Sequence, residues 1–216
     1  ALTDDTNLFA TVSHGFKSGG FNVGWGRTPI DQREFADEDI MHYEAGVKST
    51  LLDGAMQLAV SAFYTEYDHY QDAAFVGQVF NVTNADKAEL KGAEAEGKLM
   101  LGENVTADFG VSYADFTYED YTNGLCYAGR TPDGSAPGTC DLSGEHPINA
   151  PEWTTHVGLV YETDVSWGDV YARADWSWSD EYNTSFGADP RLVQDAYSWL
   201  NLRLGTHWNS YELVAW

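Results

Sequence analysis

Long and short connections alternate along this chain, and this alternation constrains the fold more than any other feature. Segments with a period of two are predicted as β-strands at 6–17, 40–51, 55–70, 88–101, 105–118, 151–162, 169–179, 196–208 and 211–216. The links between them are, in order, 18–39, 52–54, 71–87, 102–104, 119–150, 163–168, 180–195 and 209–210. Tight turns at one end and long loops at the other are typical of a transmembrane antiparallel β-barrel. A soluble sandwich has no reason to gather its long loops at one end.

Each predicted strand has one apolar and one polar face, because successive side chains of a strand point to opposite sides. The polar faces carry Glu44, Lys48, Glu94, Glu96, Lys98, Arg173, Asp175 and Arg203. The apolar faces end in the aromatic residues Tyr43, Tyr64, Tyr113, Trp153, Tyr161, Trp176 and Trp178. Aromatic girdles of this kind are typical of the two interfaces of a membrane. A soluble sandwich also alternates, so the pattern favours a membrane barrel without excluding a sandwich.

The charge of the chain excludes one class of partner. The formal net charge is −23, with only 11 basic residues and no basic run, so a nucleic-acid-binding surface is not expected. No segment is long and apolar enough for a transmembrane helix. The mean hydropathy of −0.39 is ordinary for a soluble protein. It does not decide the question, because only alternate residues of a barrel strand face lipid.

Several segments resemble a known family, and they occur in the family's order. Residues 7–22 read NLFATVSHGFKSGGFN, residues 43–49 read YEAGVKS, residues 91–96 read KGAEAE and residues 150–154 read APEWT. Together with AFY at 62–64, YQ at 70–71 and NADKA at 84–88, they are similar to strands of TonB-dependent outer-membrane receptors. The resemblance spans nearly the whole chain.

This resemblance implies a barrel of about 22 strands closed by an N-terminal plug domain. The chain holds about nine predicted strands, and an odd number of strands does not suit a closed bacterial barrel. We therefore expect residues 1–216 to form a partial transmembrane β-barrel domain from the C-terminal half of a receptor. The plug and the final strands are expected to lie outside it.

The function that the resemblance implies is active uptake of a scarce nutrient across the Gram-negative outer membrane, energised through TonB. A ferric siderophore is the expected ligand, and membrane lipid and lipopolysaccharide are the expected surroundings. Candidate ligand contacts are aromatic and arginine side chains of the long links, which can stack on rings or pair with anionic chelates. They are Phe21, Trp25, Arg27, Phe75, Phe80, Tyr127, Arg130, Tyr182, Phe186 and Arg191. The alternatives are a passive porin-like channel or adhesin barrel, and a soluble acidic β-sandwich that binds carbohydrate.

Two cysteines, Cys126 and Cys140, lie in the longest link. A disulfide between them is expected, since the exterior of the cell is oxidising. Two free thiols or half of a metal site are the alternatives. No catalytic triad, cofactor loop or metal motif is found, so no enzyme activity, cofactor or metal site is predicted. Glu94 and Glu96 are interpreted as part of a hydrated lumen wall rather than as an acid–base pair.

Overall fold

The structure, a computed structural model, describes residues 3–22, 33–76 and 79–216, with side chains described outside 73–80. Its strands are β1 Thr6–Lys17, β2 Gly20–Phe21, β3 Glu34–Phe35, β4 Glu38–Leu51, β5 Met56–Val76, β6 Val79–Met100, β7 Val105–Asp120, β8 Gly124–Leu125, β9 Thr139–Cys140, β10 Trp153–Val165, β11 Gly168–Ser179, β12 Tyr182–Asn183, β13 Val193–Gln194, β14 Tyr197–Trp208 and β15 Tyr211–Ala215. Among these residues, no helix has the length and apolar character needed to cross a bilayer.

Nine of the strands form a single antiparallel sheet. Its order is β1-β4-β5-β6-β7-β10-β11-β14-β15, so each long strand pairs with the next long strand along the chain. The three short pairs β2–β3, β8–β9 and β12–β13 lie within the long connections. The predicted all-β architecture of about nine antiparallel strands is confirmed.

One predicted connection is wrong. The link 71–87 is not a loop, because β5 and β6 continue to pair up to Val76 and Val79 and form a projecting ribbon. Polar side chains hold this ribbon to neighbouring segments. The Gln71 side-chain amide donates to the carbonyls of Ser18 and Ala36, both at 3.0 Å. Such contacts between distant segments satisfy the polar groups of an extended ribbon and leave no mark in the local pattern of the sequence.

The register confirms the two predicted faces of the sheet. Leu8, Val47, Val60 and Ala95 are successive partners across four strands and share the apolar face. Large side chains on this face are exposed; Leu202, for example, is 61% exposed. No second layer of described residues covers them. This arrangement does not favour a soluble sandwich, whose apolar face would be buried against another sheet.

The buried core is small and lies near the long connections. Among the described residues it consists of Ala85, Ala88, Tyr118, Tyr121, Cys140 and Leu142. Aromatic rings extend it, with centroids 5.4 Å apart for Tyr70 and Phe116 and 4.8 Å apart for Tyr118 and Tyr121. This core packs the longest loop against strands β5, β6 and β7.

Glycines on the polar face make room for rings on the neighbouring strand. A Cβ atom at Gly92 would lie 2.6 Å from the ring of Phe63 and would also meet the carbonyl oxygen of Tyr113. At Gly46 it would lie 2.5 Å from the ring of Phe9. The side chain of one strand therefore occupies the space that glycine leaves on the next, which interlocks neighbouring strands.

We expect Gly92→Val to destabilise the folded sheet, because the added side chain has to displace the Phe63 ring and backbone of β7. Overpacking of this kind typically costs about 1–3 kcal/mol. The measurement is the temperature at which the protein loses its compact, heat-modifiable mobility in detergent gels. Gly15→Val is the matched control, since a Cβ atom at Gly15 meets nothing within 4 Å. An equal fall of this temperature in the two variants would contradict the proposed interlocking of the strands.

Candidate functional site

The long connections collect at one end of the sheet, which we call the loop end. It carries the described parts of the first connection, 18–22 and 33–37, the connections 121–152 and 180–196, and the last paired residues of the β5–β6 ribbon, Val76 and Val79. The opposite, turn end carries the short turns, including the turn Leu52–Gly54 with Asp53 and Gly54 at positive φ. Of the irregular structure that is described, the loop end therefore holds nearly all, and a binding surface can be built from it.

The longest connection, 121–152, is closed by the predicted disulfide. Cys126 and Cys140 are bonded with Sγ atoms 2.08 Å apart, and the short strands β8 and β9 pair beside this bond. The Tyr121 side chain anchors the start of the loop, with its hydroxyl 2.7 Å from Thr83 and 3.1 Å from Asp72 on the ribbon. Burial raises the pKa of the Tyr121 hydroxyl, so it stays protonated and can donate to Asp72.

Arg130 contacts its own loop. Its guanidinium donates to the carboxylate of Asp133 and, at 2.6 Å, to the carbonyl of Asp141. The backbone N–H of Asp141 and the Arg130 guanidinium together hold the pKa of Asp133 below its usual value. The charge of Asp133 is therefore partly balanced within the loop.

Arg191 joins two of the connections. It donates to both carboxylate oxygens of Asp189, at 2.8 and 2.7 Å, and to the carbonyl of Ala128 at 2.7 Å. Its guanidinium also lies over the ring of Tyr127, 5.5 Å from the centroid. These contacts hold the pKa of Asp189 below its usual value, so its carboxylate stays charged at neutral pH. The side chain of Arg191 remains 63% exposed, so an incoming ligand can still reach it.

The other candidate contacts are more widely spread. Phe21 lies in β2 and is 64% exposed. Tyr182 lies in β12, with its ring 6.5 Å from that of Tyr197, and Phe186 is half-buried in the same connection. Phe75 and Phe80 are paired on the backbone of the ribbon, and their side chains, like Trp25 and Arg27, lie outside the described part of the structure. The structure thus brings Tyr127 and Arg191 together and leaves the assignment of ligand contacts a prediction.

The polar face of the sheet carries a charged network. The Arg173 guanidinium donates to both carboxylate oxygens of Asp175, at 2.8 Å, and to Asp108 at 3.3 Å. Ser112 donates to Glu94 at 3.1 Å. These groups are accessible and hydrogen-bonded, which is the expected character of a wall in contact with water or with polar protein surface.

Sequence reasoning missed the groups that position the loops. The Glu38 carboxylate accepts the backbone N–H of Gln71 at 2.7 Å, and the Asn22 and Val82 groups exchange two hydrogen bonds at 2.7 and 2.8 Å. The core beneath the longest loop could have been predicted from the aromatic residues concentrated in 116–121, FTYEDY.

Comparison with known proteins agrees with this architecture. The model of the family "TonB dependent receptor-like, beta-barrel" matches residues 1–215. The chain belongs to this family. The family is one of receptors and transporters rather than enzymes.

The relatives show how much of a receptor the chain represents. It is 31% identical to the pesticin receptor of Yersinia pestis over 97 residues, which are 45% of this chain and 14% of that protein. It superposes on the ferric yersiniabactin uptake receptor FyuA of Yersinia pestis with a TM-score of 0.69 and 22% identity, covering 97% of this chain and 28% of that one. For the ferric preacinetobactin receptor BauA of Acinetobacter baumannii the TM-score is 0.67 and the identity 16%, over 98% of this chain and 29% of that one. The chain therefore spans less than a third of the receptors it matches.

We expect Arg191→Gln to loosen both connections that Arg191 joins, because glutamine cannot reproduce the paired contacts with Asp189 and Ala128. Hydrogen exchange of backbone amides should rise several-fold in 124–140 and in 182–194. Arg130→Gln is the matched control and should raise exchange only within 121–145. A rise confined to one connection in the Arg191 variant would contradict the joining role.

Proposed function

We propose that this chain forms part of the wall and outer loops of a Gram-negative outer-membrane receptor that takes up a ferric siderophore with energy delivered through TonB. The family match over residues 1–215 carries this proposal. It is supported by a sheet with two different faces and with its long connections gathered at one end.

The apolar face suits contact with lipid. It carries exposed leucines and valines, and aromatic pairs such as Tyr43–Tyr64 and Tyr113–Trp153, with ring centroids 6.4 and 4.8 Å apart. Aromatic side chains favour the boundary between hydrocarbon and head groups. In this proposal the aromatic pairs lie at that boundary, and lipid and lipopolysaccharide cover the face.

The backbone supports the assignment of residues 1–216 to a partial barrel domain. A membrane sheet has to pair every backbone N–H and C=O group that lies in the hydrocarbon layer. Strands β1 and β15 form the two edges of the described sheet, each with one neighbour. In the proposed receptor, further strands pair with these edges and close the barrel, and the polar face lines its interior.

The ligand class is supported by the structural relatives. Those named above are receptors for ferric yersiniabactin and ferric preacinetobactin. A copper transporter, OprC, shares the fold with a TM-score of 0.65 and 15% identity, so a metal-ion cargo is the second candidate. At the loop end, the exposed ring of Phe21 and the accessible guanidinium of Arg191 suit an aromatic, anionic ferric chelate.

The decisive experiment is uptake by cells. A strain lacking the protein should lose uptake of radioactive iron presented on its cognate siderophore, chosen from a panel, and should regain it on complementation. Deleting TonB in the complemented strain should abolish uptake again. Uptake that persists without TonB would contradict the proposal and support a passive porin-like channel. Uptake of copper alone would support the second candidate.

We expect Phe21→Ala to weaken binding of the ferric ligand by roughly tenfold, since one aromatic contact is worth about 1 kcal/mol or somewhat more. The fold should be unaffected because this ring is 64% exposed. Trp167→Ala is the matched control, since Trp167 is an exposed aromatic residue in a turn at the turn end. The affinity of the Phe21 variant is measured by the quenching of tryptophan fluorescence on ligand binding. Uptake rates are measured for both variants. Unchanged affinity in the Phe21 variant would remove this residue from the site.

A further inference from the structure

Three side chains that are distant in the sequence converge at the loop end of β7. They are Asp115 in β7, and His146 and Glu152 in the connection 121–152. One potential ligand atom from each lies within 4.8 Å of the others, and all three residues are half-buried. Among the described residues, this is the only group of three that meets this condition.

A hydrogen bond of the His146 imidazole favours the tautomer whose Nε2 atom can bind a metal. Its Nδ1 atom lies 2.8 Å from the carbonyl oxygen of Phe116. A carbonyl only accepts, so Nδ1 carries the proton and Nε2 of the neutral ring keeps its lone pair. This arrangement, in which one ring nitrogen bonds a backbone carbonyl and the other is free to ligate, is the usual support of a metal-bound histidine.

The carboxylates lie where Nε2 points. The Nε2 atom of His146 is 3.6 Å from Oε1 of Glu152. Two ligands in a tetrahedral zinc site stand about 3.4 Å apart, given bonds of about 2.1 Å. Asp115 is supported in turn, because the Thr117 hydroxyl donates to its Oδ1 atom at 2.7 Å.

The backbone fixes the segment that carries these ligands. The N–H of Ala114 donates to the carbonyl of Glu152 at 2.8 Å, and the N–H of Tyr118 donates to the carbonyl of Glu145 at 3.0 Å. Both ends of the returning segment 145–152 are thus bonded to β7 on either side of Asp115. The ligand set is therefore built by two adjoining pieces of fixed backbone rather than by an open loop tip.

His207 lies between two carboxylates in the same sheet, but its arrangement differs from that of His146. At the turn end, Nδ1 of His207 lies 2.6 Å from Asp169 and Nε2 lies 3.5 Å from Glu212. Each ring nitrogen faces a different carboxylate, so the ring bridges two groups and the three ligand atoms do not converge.

Lys91 provides a competitor for a bound cation. Its Nζ atom lies 3.2 Å from Oδ2 of Asp115, and its side chain is 53% exposed. Without a metal, the ammonium balances part of the negative charge of the cluster. It is free to turn toward solvent when an ion takes its place.

We propose that Asp115, His146 and Glu152 bind a divalent transition-metal ion, with Zn²⁺ the best match to one imidazole and two carboxylates. Three protein ligands leave one position for water or another anion. This site departs from the sequence-based expectation of no metal site. Asp115 shares the face of Tyr113, two residues earlier in β7, so the ion lies on the apolar side of the sheet and not on its polar face. Its role is to fasten the returning end of the longest loop to the wall.

The test is zinc binding by the whole protein, extracted in detergent and freed of metal with a chelator. Competition against a chromophoric zinc chelator should show one equivalent bound. His146→Gln and Asp115→Asn should each weaken binding by at least about tenfold. His207→Gln is the matched control and should leave the affinity unchanged.

Misfolding can weaken zinc binding but cannot strengthen it, so a variant with a higher expected affinity is a useful second test. Lys91→Met keeps every ligand and removes the competing charge, so it should tighten zinc binding. Zinc should also slow hydrogen exchange in 143–152 of the wild-type protein and not of the His146 variant. Failure to bind one equivalent, equal loss in the His207 variant, or unchanged affinity in the Lys91 variant would each overturn the proposal. None of these three outcomes depends on which ligand the receptor imports.

Discussion

The hydrogen-bonded ladder between antiparallel neighbours is the interaction on which the rest of this structure depends. The nine strands of the sheet pair only with their neighbours in chain order, and no layer of described residues lies against the apolar face. Burial inside the described chain is limited to one small cluster at the loop end. Hydrophobic packing among the described residues therefore contributes little to holding the sheet together, and interstrand pairing and ring-over-glycine contacts have to supply much of its stability.

The loops are organised by fixed polar and covalent contacts rather than by hydrophobic burial alone. The Cys126–Cys140 bond closes the longest connection, Arg191 joins it to the next one, and Tyr121 joins it to the ribbon. Charged partners in these contacts neutralise one another. These pairs still leave most of the acidic charge unbalanced, since the chain has 34 acidic and only 11 basic residues.

Patterns with a short repeat were readable from the sequence, and contacts between distant segments were not. The alternation in 56–64 predicted both faces of β5, because strand period alone decides them. The extension of β5 and β6 beyond residue 70 depends on Gln71, Glu38 and Asn84, whose hydrogen-bond partners are 15 to 54 residues away in the sequence. The group Asp115, His146 and Glu152 escaped notice for the same reason, since no motif links a strand residue to the far end of a loop.

The β5–β6 ribbon also determines how the loop end can move. Gln71 of the ribbon forms hydrogen bonds with Ser18 and Ala36. Thr83 and Asp72 of the ribbon form hydrogen bonds with the hydroxyl of Tyr121. The first and second long connections therefore rest on one shared support. A force that tilts the ribbon would therefore displace the bonded residues of both connections together rather than one connection at a time.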